Sequence, residues 1–319
     1  MVEEKTLPLK HGGFVLDMCL DHYGRRMATC SEDGVVKMFR RNNGEKGWEE
    51  IAETAPTGQA INKLSWSHPE FSMLLACSTD DSVMIVEEET ETKLKFVPLA
   101  KVKPTISSLE FGPKHMGLRL AVATTDGHVQ VFSPTDAARR EWIARYSFNL
   151  SAEDSDKHTP CCVSWNSFPF DAPSMAIAKG THAFLWRMDT ERKKWRQISS
   201  QIIHNGTINH IAWAPNMGRS FHMIATASSD GTARIWKVQK PNPIAESDSV
   251  LGDDQVEVSL MQELKHPSSD GSLCEVFRVE WNLTATMLST SGDDSIVRLW
   301  SPNLEGIWSH QGDLRMDDA

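Results

Sequence analysis

Short runs in which apolar and polar residues alternate recur along the whole chain. Val36-Lys37-Met38-Phe39, Val129-Gln130-Val131-Phe132, Ala233-Arg234-Ile235-Trp236 and Val297-Arg298-Leu299-Trp300 are four of them. A period of two marks a strand with one buried face. Aligned on the residue that closes each run, six copies emerge, ending at Phe39, Val86, Phe132, Trp186, Trp236 and Trp300. The positions one and three before the close are apolar in all six. Six before the close stand Asp33, Asp80, Asp126, Gly180, Asp230 and Asp294. An Asp-Gly or Asp-Ser pair leading into the strand predicts a tight hairpin turn.

Each copy predicts three further strands. A short apolar one precedes the turn, as at residues 27–30 and 74–77. Another lies upstream and ends in Trp66, Phe111, Trp165, Trp213 or Trp281, with Leu20 in that place in the first copy. A fourth follows the close, beginning near Trp48, Trp142, Trp195 and Trp308. Four short antiparallel strands per repeat predict an all-β fold, a six-bladed WD-repeat β-propeller. The propeller is expected over residues 11–310, after an N-terminal extension (1–10) and before a C-terminal tail (311–319). Two stretches break the repeat. One is residues 134–159, and the other is the acidic, turn-rich stretch 240–266, which reads as a loop inserted between blades five and six.

The register also bears on how such a ring would close. The last repeat owns its fourth strand, because residues 305–308 lie where residues 48–51 lie in the first. Few residues precede the first blade, and Pro8 cannot donate to a ladder. An open ring is therefore expected, with strand borrowing by residues 3–9 as the alternative. An open ring leaves an edge and two apolar blade faces for a partner's strands. The residues expected there are Phe14, Val15, Asp17, Val36 and Met38 on the first blade, and Val279, Val297 and Leu299 on the last.

Composition narrows the chemistry. The net charge of −10 weighs against a nucleic-acid surface. The cluster Arg192-Lys193-Lys194 with Arg196 reads as a solvated hairpin tip. No apolar run is long enough to cross a bilayer, and the acidic start lacks a secretory pattern, so a cytosolic or nuclear chain is expected. Six cysteines without a C-x-x-C predict no metal site. With no G-x-S-x-G, Walker-type glycine loop or H-E-x-x-H, neither an enzyme nor a cofactor is expected. The sets His204, Asp230, Trp236 and His266, Asp294, Trp300 look like acid–base machinery. Their recurrence from blade to blade predicts buried hydrogen-bond networks instead.

Five stretches together resemble the Seh-type WD-repeat nucleoporins: D-H-Y-G-R-R-M-A-T-C (21–30), W-S-H-P-E-F (66–71), F-G-P-K-H-M-G-L-R-L-A (111–121), A-P-N-M-G-R-S-F-H (214–222) and W-N-L-T-A-T-M-L-S-T-S-G-D-D (281–294). The first two are shared with the sibling propeller of the secretory vesicle coat; the third and fourth favour the nucleoporins. The resemblance runs from about His11 to Trp300. It implies a non-enzymatic scaffold of the nuclear pore complex at the nuclear envelope, an open propeller completed by a blade from a helical nucleoporin. Other Y-complex subunits would be its neighbours. It also implies a place in the GATOR/SEA nutrient-signalling complex at the lysosomal or vacuolar membrane surface. Direct contact with nucleic acid and membrane insertion are not expected. The alternatives are a secretory vesicle coat propeller and a closed WD propeller that reads peptides at its central pore. The fourth repeat departs from the family pattern at Gly180, which affects the expected loop geometry there.

Overall fold

The aspartate-led turns and the strands they introduce form as the alternation predicts. The computed structural model describes residues 9–42, 47–72, 74–90, 92–136, 141–150, 159–199, 202–240, 256–268 and 271–315. The chain divides into two compact units, residues 1–149 and 150–319.

The first unit holds three blades. Blade one is β1 (Val15–Leu20), β2 (Arg26–Ser31), β3 (Val36–Arg41) and β4 (Trp48–Thr54). Blade two is β5 (Lys63–Trp66), β6 (Leu75–Ser78), β7 (Ser82–Thr90) and β8 (Lys93–Lys101). Blade three is β9 (Ile106–Phe111), β10 (Leu120–Thr124), β11 (His128–Pro134) and β12 (Trp142–Asn149). Each is an antiparallel meander, and the outer strands β4 and β8 also pair in parallel at Glu53–Lys93 and Thr54–Leu94.

The second unit repeats the plan. Blade four is β13 (Cys161–Trp165), β14 (Ser174–Lys179), β15 (His182–Asp189) and β16 (Lys194–Gln197), with the short β17 (Ile202–Ile203) also on β15. Blade five is β18 (Ile208–Trp213), β19 (His222–Ser228), β20 (Thr232–Gln239) and β21 (Glu257–Lys265). Blade six is β22 (Val276–Trp281), β23 (Leu288–Gly292), β24 (Ile296–Pro302) and β25 (Trp308–Arg315). The fold class is all-β, a WD-repeat β-propeller of six blades.

The turn aspartates work locally. Asp33, Asp126, Asp230 and Asp294 each accept the backbone N–H two residues on, at 2.9 to 3.2 Å. Gly231 follows with φ +78°, and a Cβ there would come within 2.3 Å of the Leu273 Cβ. Blade six carries Ser295 at that left-handed position, with φ 58°.

Side chains tie neighbouring innermost strands together. Asp17 accepts the Leu64 N–H at 2.9 Å, Ser65 the Phe111 N–H at 3.0 Å and Ser164 the Trp213 N–H at 3.0 Å. These donors have no ladder partner on that edge, so a buried acceptor from the adjacent blade satisfies them.

Three boundaries differ from expectation. Residues 257–265, read as part of the acidic loop, form β21 and pair along β20 from Gln239–Glu257 to Thr232–Lys265. The remainder of that stretch, 241–255, lies outside the described residues. The break assigned to 134–159 contains β12, with 137–140 and 151–158 outside the described residues. The last blade passes residue 310, because β25 continues to Arg315. Residues 1–8, most of the stretch considered for strand borrowing, also lie outside the described residues.

Candidate partner-binding site

Every blade has two apolar faces, and the register identifies them. Cross-strand partners share a face. One face carries the residues one and three before the closing position. Val36 and Met38 pack in the cluster between blades one and two, with Ile61, Leu64 and Leu75. Val83 and Ile85 pack against blade three, Ala183 and Leu185 against blade five, and Ala233 and Ile235 against blade six. With Val129 and Val131, these five pairs are no more than 4% exposed. The sixth pair, Val297 and Leu299, is only half-buried, and Leu314, the cross-strand partner of Val297, is exposed.

The opposite face carries the last and third-last residues of each first strand. Leu64, Leu109, Val163, Ile211 and Val279 hold the third-last position and are at most 6% exposed. Met18 holds it in blade one and is 52% exposed, and Leu20, at the end of β1, is 53% exposed. The aromatic residues that stand where Leu20 does are anchored. The Trp66 indole donates to the Cys19 carbonyl at 3.4 Å, and the Trp281 indole to the Ala212 carbonyl at 3.1 Å. Blade one thus exposes Met18 and Leu20 while Met27 and Phe39 on the same face stay buried, and blade six leaves Val297 and Leu299 half-exposed among the serines Ser289 and Ser291.

Four of the expected site residues lie elsewhere. Val36 and Met38 face blade two, and Val279 packs on blade five within the cluster of Ala212, Leu288 and Trp300. Asp17 is buried, its two carboxylate oxygens taken by the Met18 and Leu64 N–H groups. The alternation puts consecutive residues on opposite faces, and these four belong to sets that adjoining blades cover. Phe14 and Val15 are exposed, and Val297 and Leu299 are half-exposed. Leu16, Met18, Leu20 and Leu314 join them, none of which was expected at an end face from the sequence.

The residues that look catalytic form buried networks. In blade five, His204 Nδ1 lies 3.0 Å from Asp230 and Nε2 lies 2.7 Å from the Thr226 hydroxyl. The Trp236 indole donates to that same hydroxyl at 2.9 Å. Asp230 also accepts the Thr232 hydroxyl and the Asn205 N–H. Burial opposes its charge, but these donors win and hold its carboxyl well below the usual range. Blade one repeats the arrangement with His11, Asp33 and Thr29, closed by Phe39. Blade six is different. His266 meets Thr290 at 2.7 Å, but Asp294 pairs with the Arg298 guanidinium and does not reach the ring. Among the described residues, no group of three or more His, Cys, Asp or Glu side chains is placed to hold a metal ion.

Comparison with known proteins agrees with the blade reading. The WD domain, G-beta repeat family matches residues 3–40 and 195–237. Nucleoporin SEH1 of Osmerus mordax is 32% identical, the match covering all of this chain and 89% of that protein. Nucleoporin SEH1 of Danio rerio is likewise 32% identical over the whole chain. The Homo sapiens protein of that name is 31% identical over 99% of this chain and 89% of its own length. The match runs over the full length of the chain, and the chain belongs to the nucleoporin SEH1 family.

Proposed function

We propose that this chain is a non-enzymatic scaffold subunit of the nuclear pore complex, an open propeller completed by a β-blade from a helical nucleoporin. The observation that carries the reading is the contrast between end and middle blades. Met18 on blade one, and Val297 and Leu299 on blade six, are exposed or half-exposed where their counterparts are buried, and Leu20 is more exposed than the residue in its place in any other blade. A blade inserted by a partner would give each of these faces the neighbour that the middle blades already have. The relatives' name directs the proposal to the nuclear pore and, through the family resemblance, to the Y-complex. We extend it to the GATOR/SEA complex at the lysosomal or vacuolar surface, where a different donor of the same kind of blade would use the same faces.

Crosslinking tests this directly. A photo-reactive residue at Met18, and separately at Val297, is introduced into the chain purified in its native assembly. Both positions are expected to capture one and the same partner polypeptide. Capture of this chain's own last repeat by position 18 would mean a closed ring and would sink the proposal.

A further inference from the structure

A cleft of about 720 Å³ lies within blades four and five, on the side of the loops that follow β13 and β18. Its lining sets Arg187, Arg219 and Lys240 against a single carboxylate, Asp171. In a chain of net charge −10, that balance runs against the average surface. Asp171 lies 2.8 Å from His222 Nε2 and accepts from Asn166 Nδ2 at 2.9 Å, and its charge also attracts the nearby Arg187 without a hydrogen bond to it. Those hydrogen bonds keep it ionised and below the usual carboxylate range.

Arg187 is the unusual member. Its Nε is buried and has no hydrogen-bond acceptor among the described residues. It also stands directly across the strand pair from Arg196, one guanidinium opposite another. A buried donor without an acceptor is costly enough to be rare in folded proteins. Arg219, by contrast, spends its guanidinium on the Thr284 and Ala285 carbonyls, fixing the loop at the cleft's edge.

The rim is apolar. Phe168 lines the cleft, its ring 5.4 Å from that of Phe170, which is 87% exposed. Met217, on the next loop, is 67% exposed. Trp213, Ile198 and Val256 line the cleft itself. A free inorganic anion would satisfy the cation and leave this apolar surface wet. A peptide that carries both a carboxylate and a bulky apolar side chain would cover both.

We propose that this cleft binds a short acidic peptide segment of a partner protein, with a carboxylate between the half-buried Arg187 side chain and the exposed Lys240 and an adjacent apolar side chain against Phe168 and Phe170. Its lining shares no residue with the end faces, so the two proposals are tested independently. The geometry of a planar guanidinium and a carboxylate accounts for the choice of ligand.

The test is fluorescence anisotropy on the full chain, with a labelled Asp-Glu-Phe-Glu-Asp peptide and its Asn-Gln-Phe-Gln-Asn counterpart. The acidic peptide is expected to bind and the neutral one not to. Arg187→Gln and Lys240→Glu should each weaken binding about tenfold, the loss of one charge-assisted contact. Circular dichroism checks each variant's fold, and should Arg187→Gln fail to fold, the exposed Lys240→Glu decides. Equal binding of the two peptides would overturn the proposal, as would unchanged affinity in the folded variants. So would complete displacement by inorganic phosphate or equal binding of an oligouridine, either of which would mark a phosphate site.

Discussion

Arg298 lies 3.0 Å from Nδ1 of His266, at the point where the corresponding ring of blade five meets Asp230. A guanidinium can only donate, so Nδ1 of His266 accepts and its ring proton sits on Nε2, directed at Thr290. His204 has the opposite arrangement, its Nδ1–H donated to Asp230. Both blades carry an arginine at this position; Arg234 lies 3.7 Å from Asp230 but donates to Glu263 and the Ile203 carbonyl, whereas Arg298 turns onto its histidine and inverts the tautomer.

Burial of His266, with Arg298 beside it, makes blade six acid-sensitive. Burial first, then the nearby Arg298 and His310, push His266 down to about 4, and Asp294 and Asp313 only partly oppose this. The unfolded ring titrates near 6.5. Between those values the unfolded state binds the extra proton, so stability is lost as the pH falls from about 6.5 to about 4, by roughly 3 kcal/mol in all. Denaturant titrations at about pH 7.5, 5.5 and 4.5, which span most of the ~6.5 to ~4 window, should show this loss. His266→Gln should flatten that slope, and an unchanged slope would refute the assignment.

The turn aspartates of the last two blades should fail in different ways. Asp230→Ala removes an acceptor from His204, Asn205 and Thr232 and should cost about 1–3 kcal/mol. Asp294→Ala instead strands the buried guanidinium of Arg298, and should cost about 3–5 kcal/mol. Adding Arg298→Leu should recover part of that loss, whereas independent sites would simply add. Thermal melts of the two single variants and the double variant make the comparison.

The blades were legible in the sequence because a hairpin is local. Aspartate, turn and alternating strand lie within about ten residues, and the phrase recurs six times, with the aspartate replaced only by Gly180 in the fourth. The direction each face points was not legible. In a middle blade both faces are covered, so Ile85 and Val86 are both apolar and both buried, and nothing local says which one looks toward the chain's end. Val36, Met38 and Val279 were assigned to the end faces for that reason. The outer strand β21 was missed because most of its residues are polar or exposed and a bulge near Trp236 interrupts its pairing period. Thr226 and Thr290 read as ordinary strand formers. Their role as the common acceptor of an indole and partner of an imidazole depends on residues ten or more positions away.

The end faces should separate docking from folding. Met18→Glu and Leu20→Glu change residues that are already in contact with water, and should move the melting temperature of the isolated chain by no more than a few degrees. Leu64→Glu, the same change at the equivalent covered position of blade two, buries an unpaired carboxylate and should prevent folding. In cells, the first two variants should lose the partner captured at position 18 while remaining soluble. Retention of that partner at wild-type stoichiometry by the double variant would show that blade one's exposed face is not a docking surface.

The stretch between β20 and β21 can be probed by where a deletion stops. Val256 is buried in the cluster of blades four and five, and its N–H donates to the Ile198 carbonyl at 2.9 Å. Glu257 begins a strand that pairs with β20 along its whole length. Replacing residues 242–255 by a short Gly-Ser link should therefore preserve the melting temperature to within a few degrees, since loop-closure entropy changes slowly with length. Extending the same deletion to residue 260 removes half of the outermost strand of blade five and exposes the edge of β20. That variant should melt far lower or aggregate, as an uncovered strand edge does. Equal stability of the two deletions would mean that β21 contributes nothing to the blade. Loss of partner co-purification in the shorter deletion alone would instead show that residues 242–255 are themselves a docking element.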